Sequence, residues 1–246
     1  MSLTPILAYI LSYEGVVMGY FYEAIETAIK LIITLDPYLI EVALMSLRVS
    51  LTAIFFAAIV GIGLGAFIGT HQFVGKKLFT RIIYVFMGLP PVFVGLVVYL
   101  LISRQGPIAQ YVYLMWTPTA MVIAQFILAA PIIASFTAPA IEERHKEVMM
   151  TARGVGAGKK QAIWMTIREA KVGIFVAIAA AFGRVIAEVG AVTIVGGDIA
   201  GVTRVLTTAI VIETRQGNFG MAMAFGFVLL GISFLVNSIA DIIRKR

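Results

Sequence analysis

Four stretches of this chain carry no Asp, Glu, Lys or Arg: Val49–Thr70, Ile82–Ser103, Gln105–Ile141 and Gln216–Ala240. Each is as long as the roughly 20 apolar residues that a helix needs to cross the hydrocarbon core of a bilayer. Inside lipid no water satisfies backbone N–H and C=O groups, so segments of this length must close their hydrogen bonds internally, as helices. The third stretch is over-long. ArgGlnGlyPro at 104–107 and TrpThrProThr at 116–119 mark a turn-rich entry, which narrows its span to 118–138. A fifth candidate, 172–195, carries Arg184 and Glu188 within an otherwise apolar run.

Composition agrees. Hydrophobic residues make up 61% of the 246 positions and charged residues 13%, with a mean hydropathy of +1.00, whereas soluble domains are about one quarter charged. The net charge of +6 comes from bases gathered in a few loops, not from a basic surface interleaved with aromatics, so nucleic acid is not the expected partner. With no cysteine the chain can form neither disulfides nor thiolate metal sites. The prediction is an all-α integral membrane protein, one domain over 1–246, with five core transmembrane helices plus an amino-terminal amphipathic or sixth helix.

Short loops rich in Lys and Arg stay on the cytoplasmic side. That rule places Lys76, Lys77 and Arg81 inside, together with the basic loop 139–171 and the terminal ArgLysArg. The neighbourhood of Arg104 and the segment 196–217 then lie outside. The first 40 residues are interrupted by Glu14, Glu23, Glu26, Lys30 and Asp36, while Ile25, Ile29, Ile32 and Ile33 keep a helical spacing. An interfacial amphipathic helix is preferred there, with a span through 3–19 as the alternative. The opening residues lack the basic region of a secretory signal and read as mature sequence.

Gly61, Gly65 and Gly69 share one helix face, the spacing that lets helices approach closely in lipid. GlyIleGlyLeuGly at 61–65 is no dinucleotide motif, because no strand precedes it. GlyValGlyAlaGlyLysLys at 154–160 is no Walker A loop either: Arg153 stands where the first glycine belongs and Lys160 where Ser or Thr belongs. His71 and His145 read as isolated, and no nucleophile and base spacing points to an enzyme.

Loop 139–171 is read as helix, break, helix. Pro139 opens the first helix, the glycines of 154–158 break it, and GlnAlaIleTrpMetThrIleArg resumes it. A flexible basic loop held inside by its charge is the plainer alternative.

In this loop the sequence resembles the permease subunits of type I ABC importers. Their cytoplasmic motif begins GluAlaAla, places Gly four residues after the second Ala, and ends near IleXaaLeuPro. Here Ala152 and Gly156 match, while Met150, Thr151 and the run 166–169 depart from it. Further stretches at 88–100, 184–199 and 203–214 look like the permeases of tungstate importers, with molybdate and sulfate permeases as relatives. The likeness covers the chain from about Tyr38 onward.

The resemblance implies a multi-pass subunit of the prokaryotic inner membrane that works as a pair with a second copy of itself. It also implies two cytoplasmic ABC ATPases, which hold ATP and magnesium while this chain binds no cofactor, and an extracytoplasmic oxyanion-binding protein. The coupling residues are then Ala152, Arg153, Gly154, Gly156, Ala157, Gly158 and Lys159.

A charge near the centre of a spanning helix costs about 2.5–3.5 kcal/mol on insertion scales. Arg184 and Glu188 should therefore face the bundle interior or a water-filled cavity, and their spacing lets them pair. A structural ion pair and a role beside the permeation path both fit. Thr193 and Arg204 join them as candidates for an oxyanion path, with Thr203, Thr207 and Thr208 as further hydroxyls. A metal site is not expected. A stand-alone channel or ion-coupled carrier is the rival function.

Overall fold

A computed structural model describes residues 4–245, and the side-chain surroundings of 4–18 and of Arg153 lie outside the description. Helix accounts for 79% of the chain, and the described residues contain no strand. The elements are α1 (Thr4–Ile33), α2 (Pro37–Thr70), α3 (Lys76–Met87), α4 (Pro91–Ile102), α5 (Pro118–Gly154), α6 (Lys159–Glu169), α7 (Lys171–Ile186), α8 (Gly190–Gly196), α9 (Leu206–Arg215) and α10 (Phe219–Arg244).

Helices α2, α5 and α10 are each long and apolar enough to cross a membrane. The pairs α3/α4 and α7/α8 qualify as spans only if each bent pair is taken as one. The five predicted windows are thus recovered, but two of them are broken: α3 and α4 meet at 95° across Gly88–Pro90, and α7 and α8 at 60° across 187–189. Pro90 and Pro91 explain the first break, since neither can donate to a preceding turn.

Helix α2 begins well before its charge-free window. Asp36 caps it, its Oδ1 accepting the N–H groups of Tyr38 and Leu39 at 3.0 Å, and Pro37 opens the first turn. Glu41 and Arg48 sit within α2 near that end.

Helix α5 corrects one expectation. It runs unbroken through Pro131 and Pro139 to Gly154, so Pro139 opens no new helix. A proline inside a membrane helix is tolerated where neighbours restore its contacts, and α2 packs along this whole stretch. At 37 residues and 1.5 Å each, α5 is about 55 Å long, so it extends well beyond a ~30 Å core.

The α2–α5 seam holds the bundle. A Cβ at Gly61 would lie 2.7 Å from Ile133 Cβ, one at Gly65 2.7 Å from Thr137 Cβ, and one at Gly69 2.8 Å from the Ala138 oxygen. Contacts that short are not tolerated, so hydrogen is the only side chain that fits. Beside this seam Ile54, Ala57, Ile133, Ala177, Phe182 and Val185 form a buried core joining α2, α5 and α7.

Polar contacts sort the loops onto two ends. Lys76 and Glu142 pair at 2.9 Å at one end, joining segments that the positive-inside rule places in the cytoplasm. At the other end Arg204 and Glu213, from the segment placed outside, meet Tyr38 and Asn218. Helix α1 is continuous and packs through Ala28 and Leu31 against Phe225 and its neighbours on α10. The choice between span and interfacial helix for 3–19 falls on residues whose surroundings are outside the description.

Candidate functional site

The loop expected on the cytoplasmic side folds as a helix–turn–helix knob. Gly156 adopts φ +73°, and the N–H of Ala157 donates to the carbonyl of Ala152 at 2.8 Å, the paired signature of a left-handed helix stop that glycine favours. Gly158 caps α6, its N–H donating to Gln161 Oε1 at 2.9 Å. His145 Nδ1 lies 3.4 Å from Thr166 Oγ1, tying α5 to α6 across the turn.

Of the residues implied as coupling contacts, Ala152 is fully buried within the knob, while Gly154, Gly156, Gly158 and Lys159 are exposed and Ala157 is half-buried. Arg153 is placed on α5, its side chain outside the description. Two apolar residues absent from the expected set stand out at the tip: Met150 is 71% exposed and Val155 75%. Their signal in the sequence was apolar character amid charge, which reads equally well as packing.

The two helix breaks lie side by side. A Cβ on Gly190 would meet Val92 Cγ2 at 2.6 Å, and one on Gly95 would meet the Ala191 Cα at 2.8 Å. Irregular backbone at membrane depth persists only where protein or a water-filled cavity satisfies it. At the α7/α8 break three side chains do so, one of them held by a fourth. Glu188 Oε1 accepts the Ala191 N–H at 3.1 Å, capping α8, and Arg184 Nη1 donates to Glu188 Oε2 at 3.1 Å. Thr207 Oγ1 donates to the Glu188 carbonyl at 2.8 Å, and Gln125 Nε2 to the Val185 carbonyl at 3.3 Å. Sequence reasoning missed Gln125, a buried amide on a spanning helix, which was itself a signal.

The ion pair is asymmetric: the Glu188 side chain is 5% exposed and that of Arg184 46%. Arg184 lies 13 residues into α7, about 20 Å along it from the Lys171 end. A half-exposed guanidinium at that depth faces water or another protein surface, because facing lipid is costly.

Apart from Thr207, the hydroxyls named with this pair are engaged elsewhere. Thr193 is exposed, but its Oγ1 donates to its own helix at Val189, 2.6 Å away. Thr203 donates to the Gly196 carbonyl at 2.6 Å, and Thr208 to that of Val205 at 3.1 Å.

Arg204 is locked into the outer end of the bundle. Its Nε donates to Asp198 Oδ1 at 3.1 Å and its Nη1 to the Tyr38 hydroxyl at 2.8 Å, and that hydroxyl donates to Glu213 Oε1 at 3.2 Å. Burial works against the charge of Arg204, but the Tyr38 hydrogen bond and the Asp198 carboxylate outweigh it and raise its pKa above the ordinary arginine range.

Comparison with known proteins decides the family. The family model described as "Binding-protein-dependent transport system inner membrane component" matches residues 61–246. The chain belongs to this family of permeases. The permease is 42% identical over 222 residues to the tungstate uptake system permease protein TupB of Peptoclostridium acidaminophilum, covering 90% of this chain and 97% of the relative. It is 31% identical to the TupB of Campylobacter jejuni, covering 94% and 97%, and 28% identical to the molybdenum transport system permease ModB of Escherichia coli K12, covering 84% and 95%.

The permease also shares its fold with a chain of the MetNI methionine ABC transporter in inward-facing conformations. The TM-score is 0.69 at 17% identity, over 86% of this chain and 97% of that one. A chain of a bacterial alginate ABC transporter, in complex with its alginate-bound periplasmic protein, gives 0.68 at 19% identity, over 99% and 93%. The matched family region begins within α2 and includes the knob and both breaks. The permease is a multi-pass inner-membrane subunit of the type I ABC importer class.

Proposed function

We propose that this permease carries tungstate inward as the translocation subunit of an ABC importer. The observation that carries the reading is its 42% identity, over almost its whole length, to a tungstate uptake permease. One chain has up to five spans, too few to enclose a path alone, so the working unit is a pair of copies with the two broken-helix sites facing each other. Two cytoplasmic ABC ATPases, each holding ATP and magnesium, dock on the knobs through Gly154–Lys159 together with the exposed Met150 and Val155. An extracytoplasmic binding protein delivers the ion at the end that carries Arg204 and Asp198. Rigid-body movement of the knobs then swings packed helices between outward and inward access.

In this scheme Arg184 lines the path. A cation at membrane depth offsets part of the cost of taking an oxyanion from water, and the paired Glu188 keeps the site weak enough to release it. Thr193 and Arg204 contribute less: the first hydroxyl serves its own helix and the second cation is held by Asp198 and Tyr38.

The test is ATP-dependent tungstate uptake into proteoliposomes holding the permease, its ATPase and its binding protein. Uptake is expected to require all three components and ATP, with molybdate competing more strongly than sulfate. Uptake by the permease alone would make it a channel or carrier, and no tungstate uptake by an intact complex would remove the substrate assignment.

Gly156→Arg tests the docking surface. A left-handed conformation costs a non-glycine residue about 1–2 kcal/mol, and the new side chain enters open space at the knob tip. The variant is expected to insert and fold but to release the ATPase during co-purification. Retention of the ATPase at the normal ratio would place the docking surface elsewhere.

A further inference from the structure

At the cytoplasmic end of α7 a groove of about 400 Å³ runs between Ile62 of α2 and Ile174, Phe175 and Ile178 of α7. Its mouth is different in kind: Trp164 and Arg168 of α6 and Lys171 at the start of α7 line it. We propose that this groove binds one anionic phospholipid, with an acyl chain along the isoleucines and the headgroup phosphate between Arg168 and Lys171.

Three observations converge on that occupant. Trp164 is 66% exposed, and an indole of this kind settles at headgroup level, where its ring meets apolar chains and its N–H meets polar groups. Trp164 and Arg168 are four residues apart and share a face of α6, so aromatic and cation point the same way.

Neither Arg168 nor Lys171 enters any ion pair among the described residues. Glu169, the acid nearest in sequence, follows Arg168 directly and so sits about 100° further round the helix. Two uncommitted cations at the cytoplasmic leaflet draw a net-negative headgroup over one that carries its own ammonium.

The apolar part also has the right reach. From Lys171 to Ile178 the helix advances about 10 Å, roughly a third of the hydrocarbon core. A chain entering there follows roughly the proximal two-thirds of its length along protein. The α6–α7 junction that the headgroup would bridge is where the knob joins the membrane, so the lipid would brace the element that the ATPase is proposed to move. The lipid site itself depends only on membrane insertion and not on the substrate.

The test uses the full chain in vesicles of phosphatidylcholine containing either brominated phosphatidylglycerol or brominated phosphatidylcholine at equal mole fractions, with tryptophan quenching as the readout. The chain has two tryptophans, so the emission lost in Trp164→Phe isolates Trp164. Half-quenching is expected at a mole fraction of phosphatidylglycerol lower by on the order of tenfold than of phosphatidylcholine. In the double variant Arg168→Gln, Lys171→Gln the two curves should merge, with the phosphatidylcholine curve unchanged. Coincident curves in the unaltered chain would overturn the proposal by showing contact without headgroup selection. Absence of quenching by either lipid would overturn it differently, by showing that a second copy or another protein covers the groove.

Discussion

Arg184→Ala is expected to lower ATP-driven uptake by at least tenfold, the largest functional effect of any single exposed side chain in this permease. Glu188 is buried, so removing Arg184 leaves its charge without its partner; breaking a fully buried pair costs about 3–5 kcal/mol, and with Arg184 half-exposed the loss here is smaller. Arg184→Lys keeps the charge and should retain part of the activity. The discriminating variant is Arg184→Ala combined with Glu188→Gln. If the pair only locks the α7/α8 break, neutralising both charges relieves the uncompensated carboxylate, the oxygen of the introduced amide still accepts the Ala191 N–H, and uptake returns. If Arg184 faces the oxyanion, the double variant inserts at normal levels and stays inactive, which is the expected result. Recovered uptake would reduce Arg184 to packing.

Gly65→Leu should have the largest effect on stability. Its first carbon alone would sit 2.7 Å from Thr137 Cβ and 2.8 Å from Thr137 Cγ2, in the middle of the α2–α5 seam. Over-packing commonly costs about 1–3 kcal/mol, and here relief requires two long helices to part, so loss of most folded protein is expected. Gly63 supplies the control, because a Cβ there meets nothing within 4 Å and the position is exposed. Thermal unfolding followed by size-exclusion chromatography should show Gly63→Leu close to the parent and Gly65→Leu aggregated or absent. Equal midpoints for the two would mean that α2 and α5 do not meet along this face.

Several features are legible in the amino-acid sequence. Charge-free windows mark α2, α5 and α10, because insertion into lipid sums transfer costs residue by residue and one uncompensated charge is enough to end a window. The glycines of the knob are legible because a left-handed helix stop has few chemical solutions, and Gly156 takes that conformation. Charge-free windows misjudge helix ends, however. Glu41 and Arg48 belong to α2 although they lie outside its window, since side chains near a membrane surface reach water without breaking the helix. Pro139 looks like a helix start and is a helix interior, because α2 packs beside it.

The candidate site is half legible. Arg184 and Glu188 are visible as charges in an apolar run at a pairing distance, but Glu188 as the cap of α8 is not, since nothing in 172–195 announces that the helix stops at Ile186. The threonines illustrate the same limit: each is a hydroxyl in the right region, and each serves a carbonyl.

By itself the sequence determined that this chain lives in a bilayer, roughly how often it crosses and where the glycine break between α5 and α6 falls. Those properties follow from local chemistry: transfer free energy and backbone preference at single residues. The tertiary structure alone decided that two spans are broken side by side and that the α7/α8 break is closed by Gln125 from α5 and Thr207 from α9. An unpaired backbone group in lipid must find a partner wherever the fold brings one. These partners stand 60 and 19 residues away in the chain, so only packing could supply them.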